Sequence, residues 1–373
     1  MRLLNTTTLE LHEFFGSRIP IYAILSHRWG DGEVTFQDLK SVGRVDMAGW
    51  TKITGCCAQA KSDGWKYVWI DSCCIDKSSS AELSEAINSM FAWYRNAQVC
   101  YAYLSDVPAT EQGHDREDSA FRHSTWWTRG WTLQELLAPE AIVFFNSSWR
   151  EIGTKGSCSN LISSITDIPR QYLWEYNRAC IAQKMSWVSS RDTLRVEDMA
   201  YCLMGLFGVN MPLLYGEGNQ AFIRLQLEIM KISDDESLFA WADRSIPPHG
   251  NGLLANSPAA FRFSQHVEKT LPTKPNPYLM TNKGLQITLP ITLDEERAEA
   301  PSLLPGLTPA PPGTNFLYYC AKLNCHSKST KNAVVVKLRA IIGSGTETYC
   351  RIDCNELNFE LDFESTYRTF FSR

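Results

Sequence analysis

The chain lacks any apolar run longer than a strand, any excess of positive charge, any Cys-x-x-Cys pair and any internal repeat. Each absence removes a class of protein. Crossing a bilayer as a helix takes about 20 consecutive apolar residues, so no membrane-spanning segment is expected. Met1 to Thr8 (MRLLNTTT) has none of the long apolar stretch of a secretory signal, which predicts a soluble, cytoplasmic protein. A formal net charge of -5 leaves no basic stripe to neutralise phosphates, so nucleic acid is not an expected partner. There is no GxxxxGK[ST] loop, and Gly30 with Gly32 lacks the third glycine of a dinucleotide fingerprint.

Twelve cysteines are present. Without an export signal they are expected to remain reduced. Cys56 with Cys57 and Cys73 with Cys74 are adjacent pairs, a poor geometry for zinc. The nearest approach to a metal set is Cys320, Cys325, His326, Cys350 and Cys354, for which ordinary thiols are the simpler expectation. Neither a metal nor a resident cofactor is expected.

At 373 residues, 44% of them hydrophobic, the chain exceeds one ordinary core and two or more domains are the default. Within residues 1–150, apolar runs at Ile19 to Leu25, Tyr67 to Ile70, Val99 to Leu104 and Ala141 to Phe145 alternate with helical patterns. Trp50, Ile53, Cys57 and Ala60 recur at helical spacing, as do Leu83, Ala86, Ile87, Met90, Phe91 and Tyr94, with Ser80 or a neighbouring serine as cap. Unbroken apolar strands separated by helices predict an α/β domain whose parallel sheet is covered on both faces. Residues 151–240 read as a helical extension, with one helix from Val196 to Phe207 that Glu197 and Asp198 favour through its dipole. Residues 241–373 read as a β-rich C-terminal domain: Leu285, Ile287, Leu289, Ile291 and Leu293 alternate with polar residues, further strands follow, and Pro301, Pro305, Pro309, Pro311 and Pro312 mark a loop.

Ligands of such sheets bind beyond the carboxyl ends of the strands. There the sequence places three polar groups: Ser26 to Arg28, Asp71 to Asp76, and Ser105 with Asp106. The segment from Ser124 to Pro139 (STWWTRGWTLQELLAP) sets Glu135 in a short apolar helix beside Trp126, Trp127 and Trp131. A carboxylate there loses hydration, so it is paired, raised in pKa or turned to a ligand. The plainer alternatives are an exposed Glu135, tryptophans that only fill the core, and arginines paired with Asp71 or Asp76. A cysteine nucleophile, Cys73 or Cys74 with His27, is a further alternative for which no orienting residue can be named.

Four ordered segments, Tyr22 to Gly30 (YAILSHRWG), Trp69 to Lys77 (WIDSCCIDK), Glu82 to Ala97 (ELSEAINSMFAWYRNA) and Arg129 to Pro139 (RGWTLQELLAP), resemble the successive motifs of the fungal heterokaryon incompatibility (HET) domain. Met185 to Tyr201 and Met211 to Gly218 resemble the extension found in many of its members. The resemblance implies a cell-death effector of fungal non-self recognition. The HET domain is in turn similar to Toll/interleukin-1 receptor (TIR) domains, whose enzymatic members split NAD. That likeness implies a TIR-like sheet, a loop of TIR type at Ser26 to Arg28, and a catalytic Glu135 in a Trp-x-x-x-Glu-Leu helix, where Thr132 stands in place of the TIR cysteine. It makes NAD a candidate substrate, with Ser26, His27, Arg28, Asp71, Arg129 and Trp131 as substrate-binding residues. One carboxylate can stabilise an oxocarbenium-like ribose, Arg28 or Arg129 can hold the pyrophosphate, and a tryptophan can stack on a base. Self-association is expected, because the TIR likeness implies activity only when copies associate; the competing expectation is a non-catalytic module that signals death by self-assembly or by binding a partner protein that the sequence does not identify.

Overall fold

The computed structural model describes residues 1–111, 113–245, 252–270, 278–282, 284–294, 316–341, 348–360 and 366–372. The prolines from Pro301 to Pro312 lie outside the described residues. The chain groups into two compact units, one of Met1–Tyr176 with Arg191–Gly218 and the other of Asn177–Ser190 with Asn219–Arg373. The segment expected as a helical extension is thus shared: 151–176 and 191–218 belong to the first unit, and 177–190 with 219–240 to the second.

The first unit is built on a seven-stranded sheet. Its strands are β1 (Arg2–Asn5), β2 (Leu11–Glu13), β3 (Ala23–His27), β4 (Tyr67–Trp69), β5 (Val99–Tyr103), β6 (Ile142–Phe145) and β7 (Glu151–Thr154). The four strands expected from the apolar runs form the parallel centre, in the order β4-β3-β5-β6. All five residues of β3 are buried, as a strand covered on both faces requires. The edges correct the expectation of a purely parallel sheet, because β1 and β2 pair antiparallel beside β4, and β7 pairs antiparallel with β6. Short connections such as those from β1 to β2 and from β6 to β7 can only reverse the chain, so they make hairpins and not crossovers.

Helix Trp50–Ser62 buries Ile53, Cys56, Cys57 and Ala60. Helix Ser80–Asn96 starts at Ser79, whose hydroxyl accepts from Glu82 N at 3.3 Å, and buries Ala86, Ile87, Met90, Phe91 and Tyr94. Tyr94 meets the fully buried Trp69 edge-on at 5.9 Å. Helix Trp131–Leu137 is short and buries every residue from Thr132 onward.

Residues 191–218 contain two short helices, Asp198–Tyr201 and Met204–Phe207, in place of the single helix expected from Val196, and the second ends at Gly208 in the left-handed region. Two glycines set how closely this segment approaches the sheet unit. A Cβ on Gly205 would lie 2.1 Å from Phe91 Cβ, and one on Gly130 would lie 2.6 Å from Thr193 Cγ2. Asn88 completes the attachment, its side chain bonding Met211 N at 3.3 Å and Met211 O at 3.4 Å.

The second unit carries helices Ile181–Ser186 and Gln220–Ile232 and a β-sheet of eight strands among the described residues. Strand Gly284–Leu293 buries Leu285, Ile287, Leu289 and Ile291 in strict alternation. Its pairings are antiparallel except for Thr348–Ile352 with Thr366–Ser372. The buried Arg351 fastens the loop beneath, donating to Phe239 O at 2.9 Å and Trp241 O at 2.6 Å. His326 bonds Thr270 at 2.9 Å, and among the described residues no group of three or more His, Cys, Asp or Glu side chains is placed to hold a metal ion.

The Gly205 contact yields a test. Gly205→Ala forces a methyl group into Phe91, so it is expected to lower stability by roughly 1–3 kcal/mol, the range for overpacking, despite alanine's better helix propensity. Urea denaturation of the variant measures it, and a neutral or stabilising outcome would mean that 191–218 does not pack on the Ser80–Asn96 helix as described.

Candidate active site

The strand order β4-β3-β5-β6 reverses between β3 and β5, and a crevice opens at such a point beyond the carboxyl ends of the strands. Ser26 and His27 end β3, and Asp71 follows β4 by two residues. Helix Trp131–Leu137 packs over this edge and carries Glu135, 7% exposed, onto Ser26, which is fully buried. Trp126 Nε1 donates to Ser26 Oγ at 2.9 Å, and Ser26 Oγ donates in turn to Glu135 Oε2. Trp126 is thereby both a core ring, edge-on to Trp127 at 4.8 Å, and a polar partner. Tyr94, whose hydroxyl donates to Leu25 O at 2.9 Å, also bonds Glu135.

Desolvation dominates Glu135 and raises its pKa to about 8, with the negative charge of Asp71 adding to the rise. The bonds from Ser26 and Tyr94 and the charge of Arg191 oppose it. Asp71 goes the other way. Burial works to raise it, but Lys77, His27 and Trp29 together outweigh burial and hold it below the usual carboxylate range. His27 Nε2 lies 2.8 Å from Asp71 Oδ1, Trp29 Nε1 donates to Oδ2 at 2.8 Å, and Lys77 Nζ stands 4.0 Å from Oδ2 and 3.3 Å above the Trp29 ring. Two neighbouring carboxyl groups are thus pushed apart, one neutral and one ionised near pH 7, the pattern that separates acid and base roles in enzymes.

Six of the seven residues singled out in the sequence, His27, Arg28, Asp71, Arg129, Trp131 and Glu135, line one pocket of about 380 Å³, and Ser26 sits directly behind Glu135. The arginines do not pair with Asp71 or Asp76: Asp71 is engaged as above, and Asp76 accepts from Gln37 at 2.7 Å and from Ser78. Exposed Arg28 and half-buried Arg129 have no hydrogen-bond or ion-pair partner for their guanidinium groups among the described residues. Cys73 and Cys74 are buried, and the pKa of Cys73 is pushed well above its ordinary value, first by its hydrogen bond with Cys74 and then by burial. A thiol so held is a poor nucleophile.

The far wall comes from residues that the sequence reading had not placed at the site: Leu194, Arg195, Asp198 and Tyr215. Asp192 fixes them there, its N donating to Thr128 O at 2.7 Å and its O accepting from Gly130 N at 2.9 Å. Buried Arg191 donates to Arg129 O and Thr132 Oγ1, both at 3.0 Å. Glu197 stands at the N-cap of the Asp198–Tyr201 helix, with Asp198 in its first turn as expected, and its carboxylate has a further role. It accepts from Gly216 N at 2.8 Å and Gly218 N at 3.0 Å and so shapes the turn after Tyr215. Asp198 accepts from Tyr215 Oη at 3.0 Å and bonds Trp131, and desolvation raises its pKa. The cluster of charges from Arg195 to Asp198 was the available signal, but nothing local ties it to Arg129.

Residues 22–119 match the model of the family described as "Heterokaryon incompatibility protein (HET)", and residues 220–289 match "Domain of unknown function (DUF8212)". "Vegetative incompatibility protein HET-E-1" of Podospora anserina is 44% identical over 239 residues, which is 62% of this chain and 18% of that protein. The chain therefore spans under a fifth of that relative's length. No solved structure matches.

The raised pKa of Glu135 has a thermodynamic signature. Unfolded, the group ionises near pH 4.3, whereas folded it keeps its proton to about pH 8. The folded state binds more protons between these values, so this group makes stability fall as pH rises through that window. Glu135→Gln carries no such proton, so its stability should match the parent near pH 4 and exceed it by roughly 4–5 kcal/mol by pH 8. Urea midpoints at the two pH values decide the matter, and a gain that does not depend on pH would show Glu135 to be ionised in the fold.

Proposed function

From the premise that residues 22–119 of the chain form a heterokaryon incompatibility domain, we propose that the protein is a fungal non-self recognition effector that kills by hydrolysing the nicotinamide–ribose bond of NAD. The observation that carries this reading is a buried glutamate, fixed by Ser26 and Trp126, facing a pocket that also holds two unpaired guanidinium groups. A carboxylate and two unpaired cations lining one pocket suit a ligand that has a positive ring at one end and a diphosphate at the other.

In the reaction the ribose C1′–N bond breaks and its electron pair passes to the nicotinamide ring, which leaves neutral. The ribose is left as an oxocarbenium-like cation, water adds at C1′ and a proton is released. Glu135 as carboxylate accepts from the ribose hydroxyls and stabilises the positive charge that grows on the ring, an interaction stronger in the transition state than in the ground state. Ionised Asp71, held by His27 and Trp29, attracts the cationic nicotinamide end. Arg28 and Arg129 hold the pyrophosphate, Arg129 with its backbone pinned by Arg191. Ser26 orients the carboxyl group. Its hydroxyl proton is directed to Glu135 because Trp126 occupies the oxygen's acceptor side.

Two measurements test the reading. Glu135→Gln should remain folded and lose roughly a hundredfold or more of nicotinamide release together with toxicity in fungal cells, while the exposed Glu85→Gln should match the parent. Because Glu135 must be ionised and its pKa in the free protein is about 8, kcat/KM for NAD should climb with pH up to about 8 and level off above it. If folded Glu135→Gln kills as the parent does, catalysis is not the cause of death and self-assembly or partner binding takes its place.

A further inference from the structure

The pocket around Glu135 is small for its proposed ligand. A volume of about 380 Å³ lies near the lower end for ligand sites and suits a nicotinamide riboside better than a whole dinucleotide. The diphosphate would leave the pocket past Arg28 and Arg129, and the second nucleoside would then lie on whatever surface adjoins the mouth. That surface is the ridge from Leu194 to Val196 with Tyr215. Leu194, on the pocket wall, is 83% exposed, and Val196, two residues on, is 58% exposed. Arg195 is exposed too, with its guanidinium stacked 4.3 Å over the Tyr215 ring.

The ridge is rigid for a surface feature. Tyr215 is anchored through its hydroxyl to Asp198 and edge-on to buried Tyr201 at 5.5 Å. Glu197 ties down the backbone of the following turn through Gly216 and Gly218. Asp192 and Arg191 join the start of the segment to the turn that carries Arg129. Apolar surface and a stacked guanidinium, held in place before any ligand arrives, form a platform for a flat base with an anion beside it.

We propose that Leu194, Arg195 and Tyr215 form the subsite for the distal nucleoside of the dinucleotide, with Arg195 reaching the phosphate that joins it. This rests on the glycohydrolase reading of the same pocket and assigns to residues 191–218 the choice of a dinucleotide over a nicotinamide riboside. Binding energy from this remote half would be used to seat the reacting ribose against Glu135.

The full chain and its Leu194→Ser and Arg195→Ala variants, both at exposed positions, would be assayed for nicotinamide release from NAD and from nicotinamide riboside. The ratio of kcat/KM for NAD to that for the riboside should fall roughly tenfold in Arg195→Ala and several-fold in Leu194→Ser. Unchanged ratios in both variants would overturn the subsite even if Glu135 proves catalytic. If the parent releases nicotinamide from neither compound, the glycohydrolase reading fails, and thermal stabilisation by ADP-ribose then decides the subsite. Stabilisation of the parent that is lost in Arg195→Ala upholds it, whereas equal stabilisation of the two, or none of the parent, overturns it.

Discussion

The bond from Ser26 to Glu135 holds the first unit's site together. It joins the end of the central strand β3 to a short helix that is buried from Thr132 onward, and it does so where water cannot compete. An isolated carboxyl group at that depth would cost several kcal/mol if ionised. Ser26, backed by the Trp126 indole, and Tyr94 recover part of that loss, and protonation near neutral pH recovers more. The helix can therefore bury its apolar residues while keeping one polar atom turned to the crevice.

Around this bond the charges are arranged in opposition. Asp71 sits in the same pocket but is surrounded by donors, so it stays ionised. Its charge makes Glu135 harder to ionise and more sensitive to any cation that enters. Arg28 and Arg129 carry no partner from the described residues that would neutralise them in advance. On the proposed reading, a ligand with separate positive and negative ends would supply these two guanidinium groups with the partner they lack.

The relative that shares 44% identity is far longer than this chain. The ridge at Leu194 and Tyr215 belongs to the same compact unit as Glu135. Separation of that segment at residue 150 would remove the far wall of the pocket and the anchor of Arg129.

The sequence by itself determined the central strands, a helix with a serine cap at or next to Ser80, and the grouping of Ser26, Asp71 and Glu135. Apolar runs of strand length, helical spacing and polar residues at strand ends are local patterns, and the topology of a parallel sheet brings those ends to one edge. The antiparallel edges were less legible because β1 and β7 are short and only partly apolar. Tertiary structure alone decided that Trp126 is a hydrogen-bond donor to Ser26, that Glu197 shapes a turn, and that Arg195 and Tyr215 face Glu135. Those roles depend on contacts across 17 to 100 positions of sequence, and the segment's close approach is allowed by the absence of side chains at Gly130 and Gly205. No period or motif records such a contact, since the residues that make it carry ordinary local roles until the chain closes on itself.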